Sequence, residues 1–341
     1  MNNIIIISAM ASFLPESVVT NEELVSIYPI IELKPGLIIQ NSPQEILRRC
    51  GIIERRSVRG KMNSSDMAVE AIKNLSGKAK LDLNEVDAIV VATCLPDNYF
   101  PSTAAVVLHK LGLRNCTGYD INAACSGFTY AMDLAKSKLR EPGSRMKKII
   151  VVSADVVSKA LDRYNYRTGI LFGDASVAAL VEIDSSDLSG FQVINTYNKI
   201  MIDHIGDVYL ATPFGIPEGV NWYDDNQPFK LDGAGVYIQG VKFTCEFVEK
   251  YCREYQVSLD EVDYFIPHQA NERMITKLRK KLDLGDRLLT NIQHVGNTVA
   301  SSVPLCLNEL SDKGIFKKGD RILLCSFGAG YTLGMVDIVV K

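Results

Sequence analysis

A faint internal repeat limits what this 341-residue chain can fold into more than any other feature. Leu83-Asn84-Glu85-Val86-Asp87-Ala88-Ile89-Val90 resembles Leu259-Asp260-Glu261-Val262-Asp263-Tyr264-Phe265-Ile266, a step of 176 residues. Lys148-Ile149-Ile150-Val151-Val152-Ser153 resembles Arg321-Ile322-Leu323-Leu324-Cys325-Ser326, a step of 173. Two matches at nearly one spacing describe duplicated halves, each a helix-covered sheet. Chance similarity between strand–helix–strand patterns is the competing account. Short apolar runs alternating with amphipathic stretches give the α/β class either way. Buried strands are predicted at 4–7, 88–92, 149–153, 177–181, 264–266, 288–290, 321–326 and 335–339, and helices at 66–76, 103–111, 127–139, 235–256, 271–282 and 302–312. The stretch 200–232, with Pro213, Pro217, Pro228 and the single Trp222, reads as a long surface excursion.

Composition removes several function classes. With 47% hydrophobic residues the chain is not disordered, and a net charge of −3 gives no nucleic-acid footprint. No run approaches the roughly 18 apolar residues of a membrane span, and Met1-Asn2-Asn3 before Ile4 lacks the basic start of a signal peptide. The eight cysteines show no CxxC pairs, which fits a reducing, cytoplasmic setting. The four histidines have no metal-ligand spacing, so no metal is expected.

Three segments carry candidate chemistry. In Asp120-Ile121-Asn122-Ala123-Ala124-Cys125-Ser126-Gly127-Phe128 an extended run meets a helix start, where free N–H groups and the macrodipole favour a thiolate at Cys125. His268 follows the strand end at Pro267, and Asn297 lies in the loop His294-Val295-Gly296-Asn297-Thr298. Buried structural cysteines and loop-capping His or Asn residues are the ordinary alternatives. The order Cys, His, Asn admits a papain-like hydrolase. Its gap of 143 residues from Cys125 to His268 falls within the roughly 130–150 of that class. The papain nucleophile, however, sits near its chain start in a different local context, so this reading is disfavoured.

Acyl transfer with carbon–carbon bond formation is the other chemistry. Asn122–Phe128, Ile266–Asn271, Gly296–Thr298 and Ser326-Phe327-Gly328-Ala329-Gly330-Tyr331-Thr332 resemble, in order, segments of β-ketoacyl-acyl-carrier-protein synthase III in the thiolase-like superfamily. Tyr99–Ala105 and Leu171–Ala175 resemble further family segments. The resemblance implies two pseudo-symmetric halves, over 1–184 and 185–341, each a five-stranded mixed sheet, in α-β-α-β-α layers. The first half would carry the nucleophile and the second the His and Asn.

By the same resemblance Cys125 accepts the acyl group as a thioester, and His268 and Asn297 donate to the malonyl thioester oxygen. Two donors suit the enolate left by loss of CO₂. Backbone N–H groups of Cys125 and Ala329 would form an oxyanion hole; the family usually has Gly at position 329. Phe100 would reach across a homodimer interface into the partner's acyl pocket, and Arg49 and Arg167 would face the donor nucleotide. Glu45 stands about where housekeeping members carry an adenine-stacking Trp, which turns the expected donor from coenzyme A toward a carrier-bound acyl group. Arg273, Lys277, Lys280 and Lys281 would dock acidic acyl carrier protein, although such a run is usually only a solvated face. No cofactor is implied; coenzyme A and carrier thioesters are substrates. A non-decarboxylating acyltransferase to a hydroxyl or amine and a silent ketosynthase-like subunit remain as alternatives.

Overall fold

The computed structural model describes residues 3–34, 36–160, 165–185, 187–204, 206–210 and 229–341. Pro213, Pro217, Trp222 and Pro228, on which the predicted surface excursion rests, lie outside the described residues. Nine strands form the main sheet: β1 (Ile5–Phe13), β2 (Ala88–Ala92), β3 (Thr117–Ile121), β4 (Lys148–Asp155), β5 (Ala175–Ile183), β6 (Phe191–Ile200), β7 (Tyr264–Pro267), β8 (Arg321–Gly328) and β9 (Thr332–Val340). Their order is β7-β8-β9-β6-β1-β5-β4-β2-β3.

Starting from the middle, each half repeats one series of pairings. β1–β5 and β5–β4 are antiparallel, then β4–β2 and β2–β3 are parallel. β6–β9 and β9–β8 are antiparallel, then β8–β7 and a single bridge from Phe265 to Leu288 are parallel. The register repeats too, since Ile89 pairs with Ile150 and Phe265 with Leu323, at the same two sequence steps of 176 and 173. The weak sequence repeat is therefore a structural one.

Two predicted features change. The two expected sheets join into one through a short seam, Ile6 with Gln192 and Ile7 with Phe191. The strand expected at 288–290 shrinks to the Leu288 bridge, because Gln269 Oε1 takes the donors of Thr290 Oγ1 (2.6 Å) and Asn291 N (3.2 Å). β3 and β6 were not expected, because their polar residues break the apolar run that marks a buried strand.

Among the described residues, seven helices of eight residues or more complete the frame: α1 (Pro43–Cys50), α2 (Ser64–Ala79), α3 (Thr103–Leu111), α4 (Gly127–Arg140), α5 (Gly233–Tyr255), α6 (Glu272–Lys281) and α7 (Ser302–Asp312). Alternate side chains of one strand enter different cores. Ala88, Val90 and Ala92 join Phe128 and Ala131 of α4 and Val303 and Leu307 of α7 in the central layer. Ile89 and Val91 join Met67 and Ile72 of α2 on one outer face. Phe265 and Leu323 join Phe247 of α5 and Ile275 of α6 on the other. Strands covered on both faces read as continuous apolar runs, and each fully buried Ile or Leu contributes roughly 1.5–3 kcal/mol. The layers run α-β-α-β-α, with α4 and α7 sandwiched between the sheet halves and their N-termini carrying the candidate residues.

Candidate active site

α4 and α7 begin in the same way. A 3₁₀ turn, Ala124–Ser126 or Val299–Ser301, precedes each helix. The first residue of each turn has positive φ, 48° at Ala124 and 52° at Val299, a region that side chains rarely adopt. In each case an Asn two residues earlier closes the turn. Asn122 Oδ1 accepts from Ala124 N at 3.3 Å, and Asn297 Oδ1 accepts from Val299 N at 3.0 Å. These residues stand 175 apart, one more echo of the repeat. Each turn is also laced to the opposite half. Ser126 Oγ donates to Thr332 O (2.9 Å), and Ser301 Oγ donates to Ala175 O (3.1 Å). A Cβ on Gly127 would lie 3.3 Å from Ala300 Cβ and 3.2 Å from Ala92 Cβ, so a side chain there would push the two back-to-back elbows apart by a few tenths of an ångström.

Cys125 occupies the centre of the first elbow. The end of β8 lies against its backbone: a Cβ on Gly328 would fall 2.9 Å from Cys125 N and 2.9 Å from Ala123 O. Thr332 Oγ1 fastens the same hairpin to Ala123 O at 2.8 Å. Ala329 follows immediately, within the loop that this contact holds. Burial pushes the Cys125 thiol up to about 12, and the Asp155 carboxylate adds to the shift. Burial thus opposes the thiolate that the helix start favours.

Asp155 drew no notice in the sequence. It is fully buried at the end of β4, and its Oδ1 accepts from Thr93 Oγ1 (2.9 Å), Cys94 N (2.9 Å) and Leu95 N (3.2 Å). Burial raises its carboxyl to about 6, while those donors and the Ala300 amide favour the charged form.

His268 leaves β7 with its N–H on Cys325 O at 2.8 Å, and the adjoining Gln269 pins the loop through Pro267 O and Thr290. Its ring is buried, and Nδ1 lies 2.6 Å from Ser302 Oγ. Burial takes the ring down to about 3, so it is neutral at physiological pH. Asn297 is held by both halves: its N–H donates to Leu171 O (2.8 Å) and its carbonyl accepts from Gly173 N (3.0 Å). With Oδ1 tied to Val299, Asn297 Nδ2 has no partner among the described residues, and neither has His268 Nε2. Two neutral donors thus have fixed far ends and free near ends.

A cleft of about 360 Å³ leads from Asn297 past Leu171, Phe172, Tyr237 and Met274 to Arg273. Asn297 and Arg273 are the predicted site residues that line it. Arg49 lies beside this mouth, its carbonyl accepting from Asn271 Nδ2 at 3.3 Å. Its guanidinium is bound to Glu45 at 2.6 Å, and Arg48 binds the same carboxylate. Arg48, then Arg49, hold Glu45 below its ordinary range, so its charge is paired within the helix. Arg167, on the short helix Tyr166–Gly169, is exposed and makes no ion pair among the described residues. Phe100 is 86% exposed in the loop before α3 and does not line the cleft. Arg273, Lys277, Lys280 and Lys281 are all exposed on or at the end of α6, whose Met274, Ile275 and Leu278 are buried. Among the described residues no cluster fit for a metal ion occurs, and no helix is long and apolar enough to cross a membrane.

Comparison with known proteins bears on this geometry. The family described as 3-oxoacyl-[acyl-carrier-protein (ACP)] synthase III matches residues 119–198, and its C-terminal part matches residues 252–339. The chain is 34% identical to β-ketoacyl-[acyl-carrier-protein] synthase III of Latilactobacillus sakei over 95% of its length and 96% of that protein's. It is also 34% identical to the protein of the same name from Koribacter versatilis, over 96% and 95% of the two chains. The crystal structure of 3-oxoacyl-[acyl-carrier-protein] synthase III from Aquifex aeolicus superposes with a TM-score of 0.84 at 30% identity, covering 98% of this chain and 99% of that one.

Proposed function

Because the chain belongs to the 3-oxoacyl-[acyl-carrier-protein] synthase III family, we propose that it condenses an acyl group held on Cys125 with malonyl-acyl carrier protein, releasing CO₂ and giving a β-ketoacyl-acyl carrier protein. The observation that carries this reading is the pair of neutral donors, His268 Nε2 and Asn297 Nδ2, whose other ends are already bonded.

The chemistry runs in two half-reactions. Cys125 Sγ attacks the acyl thioester carbonyl, the donor thiol leaves with the cysteine's proton, and the oxyanion rests on the Cys125 and Ala329 N–H groups. Malonyl thioester then loses its carboxylate as CO₂. The electron pair passes to the thioester oxygen, where His268 and Asn297 donate to the enolate. Its α-carbon attacks the acyl-Cys125 carbonyl, a carbon–carbon bond forms, and collapse expels the Cys125 thiolate, which takes up a proton. A neutral His suits a donor better than a base, since no proton transfer is asked of it.

Acyl carrier protein is the natural partner of the exposed cations Arg273, Lys277, Lys280 and Lys281, which share one helix whose Arg273 lines the cleft. Arg49 and Arg167 are assigned to the donor nucleotide or phosphopantetheine phosphate. A homodimer fits the exposed Tyr99 and Phe100 and the free edge of β3. Eight free cysteines agree with a cytoplasmic setting. The division of the chain near 184/185 falls in the loop between β5 and β6.

Purified protein given an acyl thioester and malonyl-acyl carrier protein should release CO₂ and yield the β-ketoacyl carrier, read by mass spectrometry. Transfer of the acyl group to a hydroxyl or amine without CO₂ would overturn the reading. Charge reversal at Arg273 and Lys277 should raise KM for the carrier at low salt and spare acylation of Cys125 by coenzyme A thioesters.

A further inference from the structure

Ser302 is the first residue of α7, and the mechanism above leaves it without a task. Its hydroxyl lies 2.6 Å from His268 Nδ1, and both residues are buried. A serine inside a helix ordinarily donates back to the carbonyl four residues earlier. Here Ser302 Oγ makes no hydrogen bond to that carbonyl, Thr298 O, and none besides the one to Nδ1 among the described residues. The hydroxyl hydrogen therefore has one acceptor, Nδ1. A neutral imidazole carries one N–H and one bare nitrogen. If Nδ1 accepts, the proton sits on Nε2.

We propose that Ser302 is a positioning residue that holds His268 in its Nε2–H tautomer, so that the ring presents a donor to the thioester oxygen. The proposal rests on the condensing reading of the site and goes beyond it, because it assigns the tautomer of the free protein. The second elbow then sets both donors: the Val299 amide orients the Asn297 amide, and the Ser302 hydroxyl orients the His268 ring. In the first elbow the corresponding position is Gly127, which has no hydroxyl, so this device exists once.

The test is nitrogen-15 NMR of the unliganded protein, with long-range proton–nitrogen correlations separating the two tautomers and His268→Gln identifying the signal. The wild-type ring should show the Nε2–H form from pH 8 to about pH 5, consistent with burial that keeps it neutral. An Nδ1–H form in the wild-type protein overturns the proposal without any variant. In Ser302→Ala the Nε2–H preference should fall, and malonyl-thioester decarboxylation should drop about tenfold, the usual loss of one buried hydrogen bond. Acylation of Cys125 should change less than twofold, and Ser302→Thr, which keeps the hydroxyl, should restore most of the rate. An unchanged tautomer in Ser302→Ala, or equal loss of both half-reactions in the Ala and Thr variants, would mean that the residue only packs. A Ser302-dependent tautomer in a protein that fails to condense malonate would instead reject the proposed reaction and leave the tautomer assignment standing.

Discussion

The two elbows, Asn122–Gly127 and Asn297–Ser302, have the same Asn-closed turn, the same positive φ and the same helix beginning behind them. They differ in what faces them. Gly328 closes against the first, with Thr332 Oγ1, Ala123 O and Cys125 N around the place a Cβ would take. At the matching register, 173 residues earlier, Asp155 stands by the second, near Ala300 N. Asp155 pairs with Ala175 as Gly328 pairs with Thr332, the two strand starts to which the elbow serines donate. Amides at a helix start favour negative charge. The second elbow has a carboxylate of the chain itself near its Ala300 amide, with that carboxylate's hydrogen bonds made to Thr93, Cys94 and Leu95, whereas the first has glycine at the matching position. Duplicated backbone thus gives two elbows of one shape with different side chains: Cys125 at the first, and Asn297 and Ser302 at the second.

The contrast breaks most sharply at the nucleophile. Cys125→Ala should lower acylation at least 10³-fold by intact mass, and adding Ala300→Cys should not restore it, because the Asp155 carboxylate near the Ala300 amide disfavours a second negative charge there. An acylated Cys at 300 would show the elbows to be interchangeable.

The pH dependence of stability comes next. Asp155 has a folded pKa near 6, above its unfolded 3.8. Its contribution is full below 3.8 and lost as pH rises through 6, a change of roughly 3 kcal/mol. His268 acts in the opposite sense: its folded value near 3 lies below the unfolded 6.5, so its contribution holds above 6.5 and fades as pH falls toward 3. Urea unfolding at pH 4, 6 and 8 should find Asp155→Asn gaining stability relative to wild type as pH rises, because the His268 contribution is then no longer offset. Equal sensitivity would remove the buried carboxylate from the comparison.

The smallest effect concerns strain. Ala124→Gly should stabilise by about 0.5–1 kcal/mol, since glycine adopts positive φ freely. Val299→Gly relieves the same strain but loses a buried isopropyl group, so it should destabilise by about 1 kcal/mol. Equal shifts in thermal unfolding would mean that the elbows are packed alike.

Much of this was legible in the chain. The bounds of β2, α3 and α7 agree with the predicted 88–92, 103–111 and 302–312, because small apolar runs and helix caps are local signals. Cys125, His268 and Asn297 lie on loops ahead of helices, as their flanking residues implied. Ser302, Gly328 and Asp155 were not legible: each matters through a contact with a residue between 30 and 203 positions away. The spacing from Asn122 to Asn297 was present in the sequence but hidden, since Ala-Ala-Cys follows one and Thr-Val-Ala the other. β6 escaped because Gln192, Asn195, Thr196, Asn198 and Lys199 give it the polarity of a loop.

The seam at Ile6 and Ile7 has a consequence for how the protein is made. β1 is made long before its neighbours β5 and β6, which begin at Ala175 and Phe191. At about 5–20 residues per second, its apolar run waits roughly 10–40 s for a partner. Until then Ile5-Ile6-Ile7 is an unpaired β-prone segment, open to other nascent chains. The central position of β1 in the finished sheet is thus reached only after a long exposure, during which chaperone capture has the most to protect.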